Sequence, residues 1–353
     1  MDKGEEVDAC FLDFSKAFDK VDHKKLVQKL SNIGVSQQIV TWVEDFLRNR
    51  TQAVVVDGHS SSPCPVTSGV PQGSVVGPIL FLIYINDLPN AVKSNVRLFA
   101  DDTVIYNTVN NKQQLQQDLT ALEEWETAWR MEFNPIKCEH IRFSRKRTNA
   151  VDNSYTLHNI TMPKTSTVKY LGVKLEGSLR WNENTSYVTS KASSRLGYIR
   201  RTIPSSLPHL RDKAYKQLLR PTLEYASAVW DASLTATQER SLEAVQRRAA
   251  RMVNNIRRTD HTTSTTQLIS DLDWNTLRSR REDRRLGMFR AMHFNEVATN
   301  ISDFIAPHNP TVGFSRRHNQ QYLVPHCKTK FYQKSFFVST AKLWNQLPPG
   351  CSL

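Results

Sequence analysis

The chain has 353 residues, of which 39% are hydrophobic and 23% are charged, so it can bury a sizeable core and is not expected to be disordered. Its five cysteines are scattered without a C-x-x-C pair, which excludes a zinc module and a disulfide framework and is typical of a reducing compartment. The sequence shows neither a secretory h-region nor an apolar run long enough to span a bilayer. We therefore expect an intracellular protein, cytoplasmic or nuclear, that does not enter a membrane.

The net charge of +13 is distributed unevenly along the chain. Residues 1–150 carry 17 Lys and Arg against 19 Asp and Glu, whereas the remaining residues carry 30 against 15. A near-neutral segment with clustered acids, followed by a strongly basic one, predicts chemistry in the first part and polyanion binding in the second. A basic surface that merely keeps the protein soluble is the alternative.

In the first third of the chain, short apolar runs alternate with helical patterns. The stretch "VDACFLDF" predicts a buried strand, Asp22 is placed to cap the helix "HKKLVQKLSNIG", and Ser36 to open the helix "QQIVTWVEDFLRNR". "TQAVVVDG" predicts a strand, and the loop "SGVPQGSVVGP" leads into the apolar helix "ILFLIYINDL". "VRLFADDTVIY" alternates on both sides of two aspartates, which predicts a hairpin with the acids at its tip.

Helical patterns dominate further along the chain. A helix over 112–133 and a loop, "NPIKCE", precede another strand, and "VKYLGVKLEG" is typical of one strand of a second hairpin. Helical stretches then follow, among them "RDKAYKQLLRPTLEYASAVW" and "WNTLRSRREDRRLGMFRAMHF". We expect a domain boundary near 145–165 or near 180.

Asp101 and Asp102 stand side by side, where repulsion and desolvation oppose two like charges. An ordinary turn explains an isolated pair, but Asp13 ends the apolar strand "ACFL" in a similar setting. Three such carboxylates can converge on one face of a sheet, and the cluster is stable chiefly when divalent cations neutralise it. Two Mg²⁺ ions about 3.5–4 Å apart would clamp the attacking and leaving oxygens of a phosphoryl transfer. The Gly-rich loop supports this interpretation because its glycines let the backbone approach a ligand closely.

Five motifs, "FLDFSKAFD", "SGVPQGSVVGPILF", "FADD", "FNPIKCE" and "YLGVKL", occur in the order and spacing of the palm motifs of reverse transcriptases. The chain most closely resembles the enzymes of non-LTR, LINE-type retrotransposons such as jockey and CR1. The resemblance implies an α+β fold, with a palm of three or four antiparallel strands and helices on one face. It implies a partial palm domain over 1–180, a basic α-helical thumb-like region over 181–295 and a C-terminal extension over 296–353. The fingers that normally precede the palm are expected to be largely missing, since twelve residues precede Asp13.

The resemblance also assigns catalytic roles. Asp13, Asp101 and Asp102 correspond to the metal-binding, catalytic aspartates, and the backbone of Phe14 is a further metal-ligand position. Lys137 corresponds to the general acid that protonates the pyrophosphate leaving group, although a solvated lysine explains the residue equally well. The implied cofactor is a pair of Mg²⁺ ions, for which Mn²⁺ is a possible substitute.

Other positions would bind substrate. Phe18 corresponds to the residue under the incoming sugar that excludes a 2′-hydroxyl, with ordinary core packing as the alternative. Gln72 and Gly73 correspond to the loop that lines the nucleotide and template base. Independently of the resemblance, two arginine sets at helical spacing could track a phosphate backbone, or could form solvated faces. They are Arg247, Arg248, Arg251, Arg278, Arg281 and Arg285.

The resemblance implies an RNA-directed DNA polymerase that uses an RNA template, a DNA primer and dNTPs. Without fingers, the isolated chain should hold a dNTP poorly, and weak or absent polymerase activity is expected. A catalytically inactive, nucleic-acid-binding remnant of such an element is the alternative function. The sequence predicts neither the template specificity nor the oligomeric state.

Overall fold

The structure is a computed structural model that describes residues 4–146, 153–257, 259–260, 262–307 and 322–347. It divides into two compact units, Glu5–Leu171 and, together with the N-terminal Met1–Gly4, Gly172–Leu353. The predicted domains 1–180, 181–295 and 296–353 remain predictions. Part of the sequence-predicted boundary region, residues 147–152, lies outside the described residues, as does Cys351.

The first unit mixes strands and helices. Its strands are β1 (Val7–Leu12), β2 (Thr51–Gln52), β3 (Val55–Val56), β4 (His59–Ser60), β5 (Cys64–Pro65), β6 (Asn95–Phe99), β7 (Asp102–Thr108), β8 (Glu139–Phe143), β9 (Thr156–Leu157), β10 (Ile160–Thr161), β11 (Lys164–Thr165) and β12 (Thr167–Tyr170). Its α-helices are α1 (His23–Asn32), α2 (Gln37–Leu47), α3 (Gly77–Ile85) and α4 (Lys112–Trp129). Short 3₁₀ turns cover Ala17–Asp19, Leu88–Ala91 and Val109–Asn111.

A five-stranded sheet with the order β11-β8-β1-β7-β6 forms the centre of this unit. The pairs are antiparallel except for β11, which runs parallel to β8. The predicted three or four antiparallel strands missed β11, because two residues are too few to show a periodic pattern. The strand β1 pairs with β7 of the 95–108 hairpin, with Leu12 opposite Thr103.

Local sequence explains the helices around the sheet. The Asp22 carboxylate caps α1 by accepting a hydrogen bond from the Lys25 amide at 3.0 Å, as predicted. The helix α3 is apolar on almost every side, and its Phe81 is fully buried. Cys10 of β1 and Leu119 of α4 belong to the same buried cluster, so sheet and helices share one core.

The stretch "TQAVVVDG" forms two very short strands, β2 and β3, where one longer strand was predicted. The chain turns back at Asp57 and Gly58, which both have positive φ, so β3 pairs only with β4. The valines of this hairpin are largely exposed, and no buried face therefore extends the strands.

After β13 (Val173–Glu176), the regular elements that the structure describes in the second unit are helices joined by loops. Its helices are α5 (Asn182–Thr202), α6 (Pro208–Ala214), α7 (Arg220–Glu224), α8 (Ser227–Trp230), α9 (Ala236–Val253), α10 (Thr265–Asp271), α11 (Leu277–His293), α12 (Lys330–Gln333) and α13 (Phe336–Trp344). The predicted helical stretch 211–230 is broken by a π-turn at Tyr215–Leu219, by Pro221 and by Ala226, whose φ is 51°.

Among the residues that the structure describes, no helix is both long enough and apolar enough to cross a membrane. The described cysteines, Cys10, Cys64, Cys138 and Cys327, are all free thiols. Burial raises the pKa of the Cys138 thiol to about 11, so this cysteine is not a reactive nucleophile at neutral pH.

Candidate active site

Asp13 and Asp102 lie at the same end of two paired strands. Asp13 directly follows β1 and Asp102 opens β7, and the pair Leu12–Thr103 fixes their register. Both residues line an open pocket of about 250 Å³, together with Lys137 and Glu139. The sequence predicted that three carboxylates converge, and the sheet brings two of them, Asp13 and Asp102, to one pocket.

Asp101 lies in the two-residue turn between β6 and β7 and is not among the described residues that line the pocket. Partial desolvation, and after it the negative charges of Asp101 and Asp13, raise the pKa of Asp102 above its ordinary value. The carboxylates of Asp101 and Asp13 are therefore each close enough to repel that of Asp102. The turn also holds Ala100 at a φ of 51°, a conformation that is uncommon for residues other than glycine and that concentrates at functional sites.

The backbone around Asp13 is held by the segment 132–138. The Ser15 amide donates to the Glu132 carbonyl and the Asn134 amide donates to the Asp13 carbonyl, each at 2.7 Å. Nζ of Lys137 lies 3.2 Å from Oδ2 of Asp13 while most of the lysine side chain is exposed. The lysine predicted as a general acid thus contacts the first aspartate directly.

The Gly-rich loop is fastened to the segment that follows β1. The Gly69 amide donates to the Val21 carbonyl at 2.8 Å, and Nε2 of Gln72 donates to Oδ1 of Asp19 at 3.1 Å. Gln72 and Gly73 are exposed, as a ligand-lining loop requires, but neither lines the pocket of Asp13. Sequence reasoning treated Asp19 only as a structural residue and did not predict its hydrogen bond with Gln72.

Replacing Gly69 by alanine is expected to lower the free energy of unfolding by about 2 kcal/mol or more. The residue has a φ of +90°, and an added Cβ would lie 2.8 Å from both Cα and the carbonyl oxygen of Asp19. Urea unfolding followed by tryptophan fluorescence measures the change. The matched control is Gly73→Ala, where φ is +81° but the space is open, so only the backbone strain remains. Equal losses in both variants would contradict the steric argument.

The two phenylalanines lie in different surroundings. Phe14 is buried and stacks on Phe133 with ring centroids 4.2 Å apart, so only its backbone is available as a metal ligand. Phe18 is half-buried and stacks on Phe81 at 4.5 Å. Core packing, the alternative considered for Phe18, therefore accounts for at least one face of its ring.

The donor set fits Mg²⁺ in kind, because carboxylate oxygens are the ligands this ion prefers and the charges of Asp101 and Asp13 raise the pKa of Asp102. The spacing is not that of a closed ligand cluster. Within the described ranges, no three Asp, Glu, His or Cys side chains come close enough to hold a metal ion together. Asp13 is instead paired with Lys137.

The predicted nucleic-acid-binding arginines of α11 do not form one surface face. Arg281 is fully buried, with 0% exposure, and donates to Oδ1 of Asp231 at 2.6 Å. Arg285 is also buried and lies 3.3 Å from the other oxygen of Asp231. Neither guanidinium is available to a phosphate, because each neutralises an interior carboxylate. Arg278, in contrast, is exposed and pairs with Glu282.

The arginines of α9 are more accessible. Arg248 is exposed and donates to Oγ of Ser193 at 3.0 Å, while Arg247 and Arg251 are half-buried. Arg251 donates to the carbonyl oxygens of Arg257 and Asp260. Of the six predicted arginines, Arg248 and Arg278 thus offer the most surface to a ligand.

Sequence reasoning missed several pocket residues. Phe11, Glu139 and Tyr170 line the pocket with the aspartates, and the rings of Phe11 and Tyr170 are 5.3 Å apart. Strand alternation could have placed Phe11 on the same face as Asp13, since the two residues are two positions apart. Tyr170 opens the motif "YLGVKL", but the spacing of that motif does not by itself place the residue in this pocket.

Residues 2–175 match the family model described as reverse transcriptase (RNA-dependent DNA polymerase). The chain is 31% identical over 247 residues to the RNA-directed DNA polymerase from mobile element jockey of Drosophila funebris, a match covering 65% of this chain and 26% of that protein. Over 267 residues it is 28% identical to the probable RNA-directed DNA polymerase from transposon BS of Drosophila melanogaster, covering 71% and 29%. The chain thus spans about a quarter of the length of these relatives.

Among solved structures, the chain is similar to apo telomerase from Candida tropicalis truncated from its C-terminal domain. The TM-score is 0.35 and the identity 11%, over 48% of this chain and 34% of that one, so this likeness carries no further argument. The family match and the curated relatives agree with the motifs that surround Asp13 and Asp102. Through residues 2–175, just under half of its length, the chain thus matches the reverse transcriptase family, in agreement with its similarity to the jockey polymerase.

Proposed function

We propose that this chain is the polymerase part of a retrotransposon reverse transcriptase, which extends a DNA primer with dNTPs on an RNA template. Glu5–Leu171 would be the palm, and the helical unit the thumb and extension. The observation that supports this most directly is the convergence of Asp13 and Asp102 on one pocket, with Asp101 near enough to raise the pKa of Asp102. The 3′-hydroxyl of the primer would attack the α-phosphate of the dNTP, and pyrophosphate would leave.

Each residue has a distinct part in this proposal. Asp13, Asp101 and Asp102 would hold two divalent ions, which when bound supply a more acidic 3′-hydroxyl and stabilise the leaving group. Lys137 would move away from Asp13. It would then either donate a proton to the departing pyrophosphate or stabilise its negative charge. The loop at Gln72 would position the nucleotide, because its hydrogen bond to Asp19 fixes its geometry.

Primer extension by the purified chain on an RNA template, with Mg²⁺ or Mn²⁺, tests the proposal. We expect Asp102→Asn to reduce incorporation of labelled dNTP by about 10²–10³-fold or more, since it removes charge where the ions bind. Asp45→Asn, an exposed carboxylate on α2, is the control and should leave incorporation unchanged. Incorporation that is detectable and equal in the wild type and Asp102→Asn would argue against a polymerase site at these aspartates.

The second candidate is a nucleic-acid-binding protein without catalysis. The ion pair between Lys137 and Asp13 favours it, because the pair satisfies the first aspartate without any metal. Exposed Arg248 and Arg278 would then contact phosphates. Salt-dependent RNA binding is expected under both functions and separates neither. Metal-dependent incorporation of dNTP separates them.

A further inference from the structure

Glu126 is a carboxylate in the interior of the first unit. It lies near the end of α4, and only 3% of the residue is exposed. A buried carboxylate is unfavourable unless it is paired or hydrogen-bonded, so its partners indicate what it stabilises. Oε1 accepts a hydrogen bond from the Phe133 amide, and Oε2 lies 2.9 Å from Nε2 of His158.

The chain turns sharply between Glu126 and Phe133. Arg130 ends α4 with a φ of 54°, and the Met131 amide donates to the Glu126 carbonyl at 3.0 Å. Glu126 thus accepts two hydrogen bonds from the turn: its backbone carbonyl binds the Met131 amide, and its carboxylate binds the Phe133 amide. The direction in which the segment 132–134 leaves the helix depends on this carboxylate.

The segment 132–134 in turn pairs with the chain on either side of Phe14, the residue that follows Asp13. The Glu132 carbonyl accepts from the Ser15 amide, and the Asn134 amide donates to the Asp13 carbonyl. Between them, the ring of Phe133 stacks on Phe14. Asp13 lies between the end of β1 and this bridge, and its amide donates to Sγ of Cys138 at 3.5 Å. The segment that Glu126 anchors therefore holds the backbone on the C-terminal side of Asp13.

We propose that Glu126 is a positioning residue for Asp13, acting through the Phe133 amide and the two backbone hydrogen bonds on either side of Phe14. The catalytic consequence rests on the proposed polymerase function, whereas the structural coupling does not. The ionisable side chains that act on Glu126 are those of Glu123, Glu132 and His158. Burial, with smaller contributions from the two glutamates, raises the pKa of Glu126 to about 7 against the Phe133 amide and His158.

Amide hydrogen exchange in Glu126→Ala, Glu126→Gln and Glu124→Ala tests the coupling. Glu124 is an exposed residue of the same helix and provides the matched control. In Glu126→Ala we expect exchange at the Ser15 and Asn134 amides to accelerate about tenfold over the control, while the central β1–β7 amides stay protected. Glu126→Gln keeps an acceptor for Phe133 and should stay within about twofold of the wild type.

Mn²⁺ binding followed by electron paramagnetic resonance gives a second measurement, at a temperature where every variant is folded. Glu126→Ala should weaken Mn²⁺ binding about fivefold or more, and Glu126→Gln should restore it. Unchanged exchange at Ser15 and Asn134, or acceleration that is equal across the whole sheet, would refute the positioning role. If the wild type binds no Mn²⁺, the polymerase proposal fails, and the exchange result still decides on Glu126.

Discussion

Replacing Asp8 by alanine should destabilise the first unit by about 3–5 kcal/mol, because it leaves a buried guanidinium without its counter-ion. Asp8 is 1% exposed in the middle of β1. Nε and Nη2 of Arg142 donate to its two oxygens at 2.8 and 2.9 Å, and Asn153 and Tyr155 each donate to Oδ2 at 2.8 Å. Urea unfolding followed by tryptophan fluorescence measures the loss.

Two comparisons distinguish this network from an ordinary surface pair. Asp45→Ala removes an exposed carboxylate and should change the free energy of unfolding by less than about 0.5 kcal/mol. The double variant Asp8→Leu/Arg142→Leu removes both charges and should recover much of the loss. If the double variant is less stable than Asp8→Ala, the ion pair itself stabilises the fold, and the loss in Asp8→Ala is not mainly the cost of leaving Arg142 without a counter-ion.

The same network predicts a dependence on pH. Burial alone would raise the pKa of Asp8, but the hydrogen bonds from Arg142, Asn153 and Tyr155 outweigh it and hold the pKa below its ordinary value of 3.8. Below about pH 4 the unfolded chain therefore binds more protons than the folded one, and stability should fall as the pH falls. Asp8→Ala should show a flatter decrease over the same range.

Replacing Asp231 by alanine should destabilise the helical unit by a similar amount, about 3–5 kcal/mol, because two buried arginines lose one shared carboxylate. Arg281 and Arg285 approach its two oxygens at 2.6 and 3.3 Å. Arg281 has no other carboxylate partner among the described residues, and its guanidinium lies 5.9 Å from the ring centroid of Trp230. Urea unfolding monitored by circular dichroism reports the loss.

The control for this variant lies on the same helix as the arginines. Asp283 of α11 is exposed, and Asp283→Ala should leave stability within about 0.5 kcal/mol of the wild type. Asp231→Asn keeps an acceptor but not the charge, so an intermediate loss is expected. If Asp231→Ala instead weakened RNA binding at unchanged stability, the two arginines would have to reach a ligand after all.

The sequence was most informative where a local rule governs the structure. Asp22 caps a helix because its side chain accepts a hydrogen bond from an amide three residues further on, so the interaction can be predicted from the local sequence. The meeting of Asp13 and Asp102 also followed from pattern, since acids at the ends of paired strands share an edge. The resemblance added the identity of the site, which the charges alone left open.

The sequence was least informative where a partner is distant along the chain. An Arg-rich helix face has the same spacing whether it faces water or an interior acid, and Asp231 lies 50 positions before Arg281. In the sequence, nothing distinguishes Glu126 from the other acids of "LEEWETAW". Its hydrogen bond with the Phe133 amide forms only because the chain turns back after α4. Such contacts depend on tertiary packing, and periodicity cannot predict them.

The contact between Lys137 and Asp13 would affect how tightly a divalent ion binds in this pocket. A divalent ion that binds Asp13 would have to displace the Lys137 ammonium group. Its net affinity would therefore be reduced by the attraction between Lys137 and Asp13. The displaced lysine is the same side chain that would assist the departing pyrophosphate. Binding of the ion to Asp13 would thus also free Lys137 to act as the proton donor. Until the ion binds, Lys137 would stay paired with Asp13.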